Sequence, residues 1–353
     1  MSIYPLSKYN SFLICPKCNK QEGDSYKLTL DAEYLKCPNC YTIYPSSQGV
    51  PILADDVAKD VLTIGNFDKN SSYEDFVIRY KNDGNWDFNL SERVKFYYYH
   101  YPPTKADREA YLKSGYLASE KEFIRGFVQT YNITQICLEI GCAAGQFADI
   151  SDNYIGLEYS LSAVFAKGFE NYARIVASAE SIPLADQSVE LVFSFNTLEH
   201  IPNPELAFRE IDRILIPNGW AILKPAWHCV KYNTEILPVR PYMELSVSQK
   251  IRKFLIPLMR NKGFKFFTRV PVRIFRRISY FISQSPTELN YRKLKPYLGN
   301  DANLADADAT ADIDCHEGLL FFESRGYQVV SHQNWMNRLM AGNDTVVVQK
   351  PVL

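Results

Sequence analysis

Two acids and two glycines stand at spacings that suit a nucleoside-containing ligand. Glu139, Gly141 and Gly145 follow the apolar run 136–138, and Glu158 comes nineteen positions after Glu139. A glycine turn after a buried strand lets a ligand approach the backbone, because glycine has no Cβ and tolerates positive φ. An acid at the end of the next strand can accept both hydroxyls of a ribose. The pattern therefore predicts a nucleoside cofactor held across the top of a parallel sheet.

The glycine spacing distinguishes between two such cofactors. Dinucleotide sites use G-x-G-x-x-G, with the third glycine allowing close packing of helix on strand. Here Gly141 and Gly145 have the spacing G-x-x-x-G, and Phe147-Ala148 follows. Glu139, which precedes the loop, suits a cationic ligand better than a diphosphate. These residues favour S-adenosylmethionine over NAD.

Residues 134–225 resemble class I S-adenosylmethionine-dependent methyltransferases of the type-11 kind. The segments that carry the resemblance are, in chain order, 138–147, 156–160, 179–184, 189–194, 198–201, 210–211 and 215–220. The resemblance implies an α/β fold with a Rossmann-like, seven-stranded, doubly wound sheet. Two positions differ from the family pattern, since Ala143 replaces a usual glycine and Ser178 a frequent aspartate. We expect the alanine to fit if its φ stays negative.

The resemblance also implies roles for individual residues. Gly141 and Gly145 would admit the methionine part of the cofactor, Glu139 would lie near its ammonium group, and Glu158 would hold the ribose. Ala179 and the following residue would flank the adenine edge. The complete predicted cofactor-binding set is Glu139, Gly141, Cys142, Ala143, Gly145, Glu158, Tyr159, Ser178, Ala179, Glu180, Asn196 and Leu198. The alternative is a doubly wound domain whose site is degenerate and empty.

Two histidines are candidate catalytic bases. His200 follows the predicted fourth strand, and His228 lies just past the fifth. Histidine titrates in the range that a proton-abstracting group needs. Each ring has a structural hydrogen-bonding role as its alternative, and a base is needed only if the acceptor arrives protonated.

Four N-terminal cysteines have the spacing of a metal site. Cys15 and Cys18 are separated by eighteen residues from Cys37 and Cys40, which fits C-x₂-C-x₁₅₋₂₀-C-x₂-C. Four thiolates can hold one structural zinc ion tetrahedrally; disulfides and a rubredoxin-like iron site are the alternatives. Residues 12–56 also resemble the small zinc-ribbon activator of transfer-RNA and release-factor methyltransferases. The segments that carry this likeness are 35–40, 44–45 and 49–53.

The length of 353 residues accommodates an α/β domain with additional modules. The predicted organisation is a zinc ribbon (1–56), a helical connector (57–130), the cofactor-binding core (131–225), a lid or acceptor insertion between strands five and six (226–317), and a closing helix and strands (318–353). A net charge of −1 gives no indication of a polyanionic partner. Because neither a signal peptide nor a membrane-spanning run is evident, we expect a cytoplasmic protein, with peripheral contact at the inner face of the membrane as an option.

Charge is segregated within the predicted insertion. No acid occurs between Glu244 and Glu288, while ten basic residues accumulate among aromatic ones: Lys250, Arg252, Lys253, Arg260, Lys262, Lys265, Arg269, Arg273, Arg276 and Arg277. The mixture predicts an amphipathic lid with a solvated basic face, contact of residues 250–282 with an anionic membrane, or RNA binding. The acidic run that follows, from Asp301 to Glu317, is by default a solvated loop. Its alternatives are pairing with the basic segment, and binding of a cation, sugar hydroxyls or an amine.

The residues and the resemblances together predict a methyltransferase that acts on a hydroxyl or amine of a small-molecule or saccharide acceptor, including a lipid-linked one. The Asn/Asp-Pro-Pro-aromatic motif of amino methylation on bases and glutamine is absent from residues 194–198. The alternatives are an RNA methyltransferase, which the near-neutral charge disfavours, and a non-catalytic zinc-ribbon scaffold. No oligomeric state is predicted.

Overall fold

The computed structural model describes residues 5–22, 25–31, 34–47, 49–54, 115, 117–143, 145–160, 171–297 and 304–352. Most of the predicted connector 57–130 lies outside these residues. The chain forms two compact units, Met1–Phe193 with Arg213–Ile216, and Ser194–Asp212 with Pro217–Leu353.

The first unit begins with a small four-stranded sheet. Its strands are β1 (Thr29–Asp31), β2 (Tyr34–Lys36), β3 (Ile43–Ser47) and β4 (Val50–Pro51), each antiparallel to the next. A short helix, Pro16–Glu22, precedes them. Cys15 immediately precedes this helix and Cys18 lies within it, while Cys37 and Cys40 lie between β2 and β3.

The main sheet has the seven strands that the sequence predicts. The later strands of the chain are β5 (Ile136–Ile140), β6 (Tyr154–Glu158), β7 (Ala173–Val176), β8 (Val189–Phe195), β9 (Leu215–Lys224), β10 (Tyr291–Lys293), β11 (Ala311–Ile313), β12 (Gln328–Val329) and β13 (Val346–Gln349). The order in the main sheet is β12-β13-β9-β8-β5-β6-β7, while β10 and β11 form a separate pair. β5 is parallel to β6 and β8, and all five of its residues are buried. Near-continuous burial is typical of a parallel strand covered on both faces.

The ribbon is joined to the edge strand of the main sheet within the first unit. Ile52 forms a parallel bridge with Val176 of β7, and the backbone N–H groups of Leu53 and Ala54 donate to the Val176 carbonyl at 2.7 and 3.1 Å. A second bridge joins Leu13 to Leu184. The ribbon therefore continues the hydrogen bonding of the sheet beyond β7.

Helices account for much of the second unit. Those between β9 and β12 are Lys231–Thr234, Val247–Arg260, Lys262–Ser283 and Cys315–Glu323. Phe208, Phe321 and Phe322 form an aromatic core with ring centroids 5.2–5.5 Å apart. The four cysteines outside the ribbon (Cys137, Cys142, Cys229 and Cys315) are buried, as expected for core thiols. Within the described residues, no helix combines the length and apolar character needed to cross a bilayer.

The basic and acidic segments pair with each other, which corrects two default expectations. Three arginines of the helix Lys262–Ser283 form ion pairs with acids that follow: Arg273 with Asp314, Arg276 with Glu317 and Arg277 with Glu323, at 2.7–3.1 Å. Arg273 is only 5 % exposed. These three arginines are therefore not part of a solvated basic face, and the end of the acidic run is not a solvated loop, because each of these charges is compensated by its partner.

Candidate cofactor and metal sites

Four cysteine sulfurs converge in the ribbon. The Sγ atoms of Cys15, Cys18, Cys37 and Cys40 all lie within 4.8 Å of one another. The Cys15–Cys40 and Cys18–Cys37 pairs are 3.6 and 3.7 Å apart, too far for disulfides, whose S–S bond is about 2.05 Å. A tetrahedral zinc ion with Zn–S bonds of about 2.3 Å separates its ligands by about 3.8 Å. The cluster has the dimensions of one such ion.

Hydrogen-bonding groups surround the sulfurs. The Cys40 N–H donates to Cys37 Sγ at 3.5 Å, and the buried Tyr44 hydroxyl lies 3.4 Å from Cys15 Sγ. Such groups fix the direction of a metal ligand and stabilise negative charge on it. Four thiolates would leave no open coordination position, so a metal here would have a structural role.

The glycine loop has the left-handed backbone that its sequence suggests. Gly141 and Gly145 have φ values of 82° and 73°, and the Gly141 N–H donates to the Leu157 carbonyl at 2.8 Å. Ala143 has φ 43°, so the condition of a negative φ, under which we expected the alanine to fit, is not met. Three described residues of the loop have the left-handed backbone conformation. One of them is Ala143, whose Cβ disfavours this conformation by about 1–2 kcal/mol.

Glu158, at the end of β6, is held against this loop by backbone hydrogen bonds. One carboxylate oxygen accepts from the Ala143 N–H at 3.0 Å, and the other accepts from the N–H groups of Tyr159 and Ser160 at 2.8 and 3.0 Å. The structure thus brings Glu158, Tyr159 and the glycine loop together at one edge of the sheet. Three backbone donors therefore fix the position of the Glu158 carboxylate.

Glu139, at the end of β5, is almost fully buried, and its carboxyl group accepts a hydrogen bond from the Tyr154 hydroxyl. Burial raises the pKa of Glu139 to about 8, although the Tyr154 hydrogen bond opposes this shift. A positively charged partner would stabilise the ionised form of this carboxyl group and lower its pKa.

Two residues that support the loop were missed by the sequence reasoning. Tyr154 begins β6 and holds Glu139, while Gly156 lies in the same strand. A Cβ on Gly156 would come within 2.7 Å of the Cys142 sulfur and 3.0 Å of the Tyr154 hydroxyl oxygen. Glycine is therefore required for the loop to lie against β6. The available signal was a glycine inside an apolar strand, which marks close approach of other groups.

The third predicted segment follows β7. The Ser178 hydroxyl accepts from the Glu180 N–H at 3.2 Å, and the intervening Ala179 is buried. The next residue, Ser181, donates its hydroxyl hydrogen to the Pro16 carbonyl at 2.8 Å. Pro16 lies between the first two cysteines, so the predicted adenine loop and the cysteine cluster are joined by a buried hydrogen bond.

Four predicted site residues belong to the second unit. Asn196 has φ 49°, and its N–H donates to the Lys224 carbonyl at 3.0 Å. Leu198 is buried and begins a short 3₁₀ turn, Leu198–His200. His200 and His228, the remaining two, have different surroundings.

His200 lies between two carboxylates. Its Nδ1 is 3.3 Å from an Asp308 oxygen, and its Nε2 is 3.7 Å from a Glu199 oxygen. Glu199 is buried, accepts the Ala226 N–H at 3.0 Å, and its second carboxylate oxygen is buried with no hydrogen-bond partner. Burial raises the pKa of Glu199. Asp308 was not predicted as a site residue, because nothing local connects it to a histidine 108 positions away.

His228 is held through its backbone. Its backbone N–H donates to the Ile313 carbonyl, and its ring Nε2 lies 3.9 Å from an Asp314 oxygen without a hydrogen bond. Burial lowers the pKa of His228 to about 4. The ring is therefore neutral at pH 7, but its low pKa makes it a poor base.

Residues 138–223 match the family model described as "Methyltransferase domain". An uncharacterized protein of Methanocaldococcus jannaschii is 38% identical over 84 residues, which cover 23% of this chain and 33% of that protein. An uncharacterized methyltransferase of Mycobacteroides abscessus is 37% identical over 92 residues, covering 24% and 35%. Among solved structures, the YcgJ protein of Bacillus subtilis is 15% identical, with a TM-score of 0.32 and coverage of 66% of this chain and 100% of that one.

The chain thus spans about a third of the length of these sequence relatives. The segment that matches the family model contains the glycine loop, Glu158 and the residues after β7.

Proposed function

We propose that the protein is an enzyme that transfers a methyl group from S-adenosylmethionine to a hydroxyl or amine of a small-molecule or saccharide acceptor. The observation that carries the proposal is the placement of Glu158 against the left-handed loop of a methyltransferase domain. A carboxylate fixed there by backbone donors can accept the two ribose hydroxyls.

The residues at this edge fit the cofactor. Gly141 and Gly145 keep the backbone accessible, and the buried Glu139 offers a carboxyl group to a cation. When bound, S-adenosylmethionine supplies an electrophilic methyl group on a sulfonium. The protein's contribution would be to position the acceptor in line with that methyl, which can account for much of the rate.

A proton must be removed if the acceptor is a hydroxyl or an ammonium. We assign this role to His200, whose Nδ1 lies 3.3 Å from an Asp308 oxygen without a hydrogen bond. A small rotation of the ring would let Asp308 accept from Nδ1 and hold the ring in one orientation. A carboxylate that orients an imidazole is a recurring arrangement in general-base catalysis. His228, with its lowered pKa, is the less suitable of the two candidates.

The cysteine cluster would hold a structural zinc ion. In support, the four sulfurs lie within 4.8 Å of one another, and four thiolates would fill every coordination position of a tetrahedral ion. Since the ribbon is hydrogen-bonded to β7 and to Ser181, the metal would stabilise the segment that we assign to the adenine.

Calorimetry with S-adenosylmethionine tests the cofactor site. Glu158→Ala should weaken binding by about tenfold to a hundredfold, which is the range expected when hydrogen bonds to a charged group are lost. Glu122→Ala provides a matched control, because Glu122 is exposed and pairs only with the neighbouring Arg125. Equal affinity of the Glu158→Ala variant and the wild type would disprove the assignment.

Transfer of labelled methyl to host extracts tests the acceptor. After fractionation into lipid, polar small molecules, RNA and protein, label is expected in one of the first two. His200→Ala and Asp308→Asn should lower kcat and leave cofactor affinity unchanged. Label confined to RNA would contradict the proposed acceptor, and a wild type that binds cofactor but labels no fraction would contradict the proposed enzyme.

A further inference from the structure

Exposed apolar side chains are concentrated on two consecutive helices of the second unit. Helices Val247–Arg260 and Lys262–Ser283 meet at Asn261, whose side chain accepts the Phe264 N–H. This helix pair carries twelve of the twenty-seven large apolar side chains that are exposed in the described part of the chain. Because soluble surfaces rarely expose contiguous apolar patches, such a concentration marks an interaction site.

Most of the exposed side chains lie on one face of each helix; Phe266, Val272 and Phe281 of the second helix lie outside it. In the first helix they are Val247, Ile251, Phe254 and Leu258; in the second, the main stripe is Phe264, Phe267, Phe275, Ile278 and Ile282. Steps of three and four residues place them along a single stripe. Phe254, Phe267 and Ile282 are each 76% exposed, so the stripes are uncovered within the described structure.

The opposite face of the longer helix anchors it to its own unit. Arg273 donates two hydrogen bonds to Asp314 at 3.0 and 2.7 Å and a third to the Leu339 carbonyl. At about 100° per residue, Arg273 lies opposite Phe275 and Ile282 on the helix. Its arginines thus attach the helix to its own unit, and its apolar stripe stays exposed and available to another partner. That arrangement is the reverse of an amphipathic lid folded over a core.

The charge around the stripes identifies the partner. Within the described chain, six further cations of the pair form no ion pair: Lys250, Lys253, Arg260, Lys262, Lys265 and Arg269. No acid occurs between Glu244 and Glu288. A second copy of this surface would bring like charges together. An anionic lipid surface offers both an apolar interior and phosphate groups.

We propose that the helix pair docks on the surface of an anionic lipid bilayer. Phe254, Phe267 and Phe275 would enter the boundary between head groups and acyl chains, while the lysines and arginines would contact phosphate. The pair would lie in the plane of the interface, since neither helix can cross a bilayer. This surface does not depend on the proposed methyl transfer, because none of its residues belongs to the cofactor or base site.

Flotation of the full-length protein with vesicles tests the proposal. Vesicles of phosphatidylcholine with about 30% phosphatidylglycerol should bind the protein at low salt, and pure phosphatidylcholine should bind it much less. The triple variant Phe254→Ser, Phe267→Ser, Phe275→Ser should reduce the partition coefficient by tenfold or more, on the order expected from lost apolar insertion. Arg260→Gln with Lys262→Gln should reduce it by about fivefold per charge, an effect that high salt removes.

Trp335→Ser with Met336→Ser is the matched control, since both side chains are about half exposed in the same unit but lie outside the helix pair. It should bind vesicles like the wild type, and all variants should keep the wild-type melting temperature. Absence of wild-type binding to anionic vesicles would overturn the proposal. So would a triple variant that binds normally, or sedimentation showing that the stripes instead join two copies or hold RNA.

Discussion

Two acids, one in each unit, have opposite electrostatic states. In the first unit, the buried Glu139 accepts a hydrogen bond from a neutral tyrosine, and burial raises its pKa to about 8. In the second unit, the partly buried Asp314 accepts two hydrogen bonds from Arg273, and the nearby positive groups outweigh burial to lower its pKa. Of these two carboxyl groups, Asp314 is the one that forms an ion pair within the described chain. We infer that Asp314 is a structural charge and that Glu139 is kept for a cationic ligand.

The cysteine cluster extends this comparison, because four thiolates would be a buried anion without any cation from the chain. We expect Cys37→Ser with Cys40→Ser to remove one bound zinc per chain and to unfold the ribbon. Zinc binding to a four-ligand site contributes on the order of 10 kcal/mol to folding. Elemental analysis and thermal denaturation measure the two effects.

Cys229→Ser is the control, because this buried cysteine lies outside the cluster. It should retain zinc. A cluster variant with full zinc content would show that the four sulfurs are not the ligands.

The ion pair of Asp314 can be broken by substituting its partner, Arg273. Arg273→Met should lower the free energy of unfolding by about 3 kcal/mol, because it leaves the partly buried Asp314 without its ion-pair partner and the Leu339 carbonyl without its donor. Arg273→Met with Asp314→Asn should recover part of this loss. Chemical denaturation measures both, with Arg260→Met as an exposed control expected within about 0.5 kcal/mol of the wild type. Equal stability of Arg273→Met and wild type would mean that the ion pair is not structural.

The assignment of Glu139 to a cationic ligand predicts that cofactor affinity depends on pH. If the ionised carboxylate binds the cofactor ammonium, affinity should fall about tenfold for each pH unit below 8, and binding at pH 7 should release a proton. Tyr154→Phe should shift the dependence to higher pH, since it removes the hydrogen bond that lowers the pKa of Glu139. Calorimetry in buffers of different ionisation enthalpy measures the proton. A pH-independent affinity with no proton release would contradict the assignment.

The same shifts set opposite contributions to the stability of the cofactor-free protein. The folded-state pKa of Glu139 is above its ordinary value of 4.5, so its contribution is complete below pH 4.5 and is lost as the pH rises through 8. The pKa of His228 is lowered from 6.5 to about 4, so its contribution is complete above pH 6.5 and is lost as the pH falls towards 4. Melting temperatures of Glu139→Gln and His228→Asn across this range should each lose one of the two dependences.

The smallest expected effect is conformational rather than electrostatic. Ala143→Gly should stabilise the protein by about 1 kcal/mol, because glycine adopts the left-handed conformation without a Cβ clash. Ala148→Gly, at a buried position without positive φ, should instead destabilise it. Denaturation midpoints distinguish the two, and a destabilised Ala143→Gly variant would indicate that the alanine side chain makes a compensating contact.

Features set by local spacing could be predicted from the sequence. The two cysteines of each ribbon pair are three positions apart, and this spacing predicted the convergence of their sulfurs. The glycine loop and Glu158 follow consecutive parallel strands, so their meeting at one sheet edge followed from the strand order. Burial of the first part of β5 could be predicted from the apolar run 136–138.

Features set by distant partners could not be predicted. Arg273 and Asp314 are 41 positions apart, and no periodicity indicates which of many acids an arginine will face. The contact of His200 with Asp308 depends on the same kind of long-range placement. The positive φ of Ala143 was also missed, because the loop geometry overrides the preference of its residue.

The bridge between Ile52 and Val176 has a consequence for solubility. β7 is the last strand of the main sheet. The ribbon covers part of its outer edge, because the backbone N–H groups of Leu53 and Ala54 donate to the Val176 carbonyl. Unprotected edge strands pair readily with other chains. Loss of the ribbon's fold would therefore bare backbone groups of β7 and turn a metal-depleted molecule into one that aggregates edge to edge.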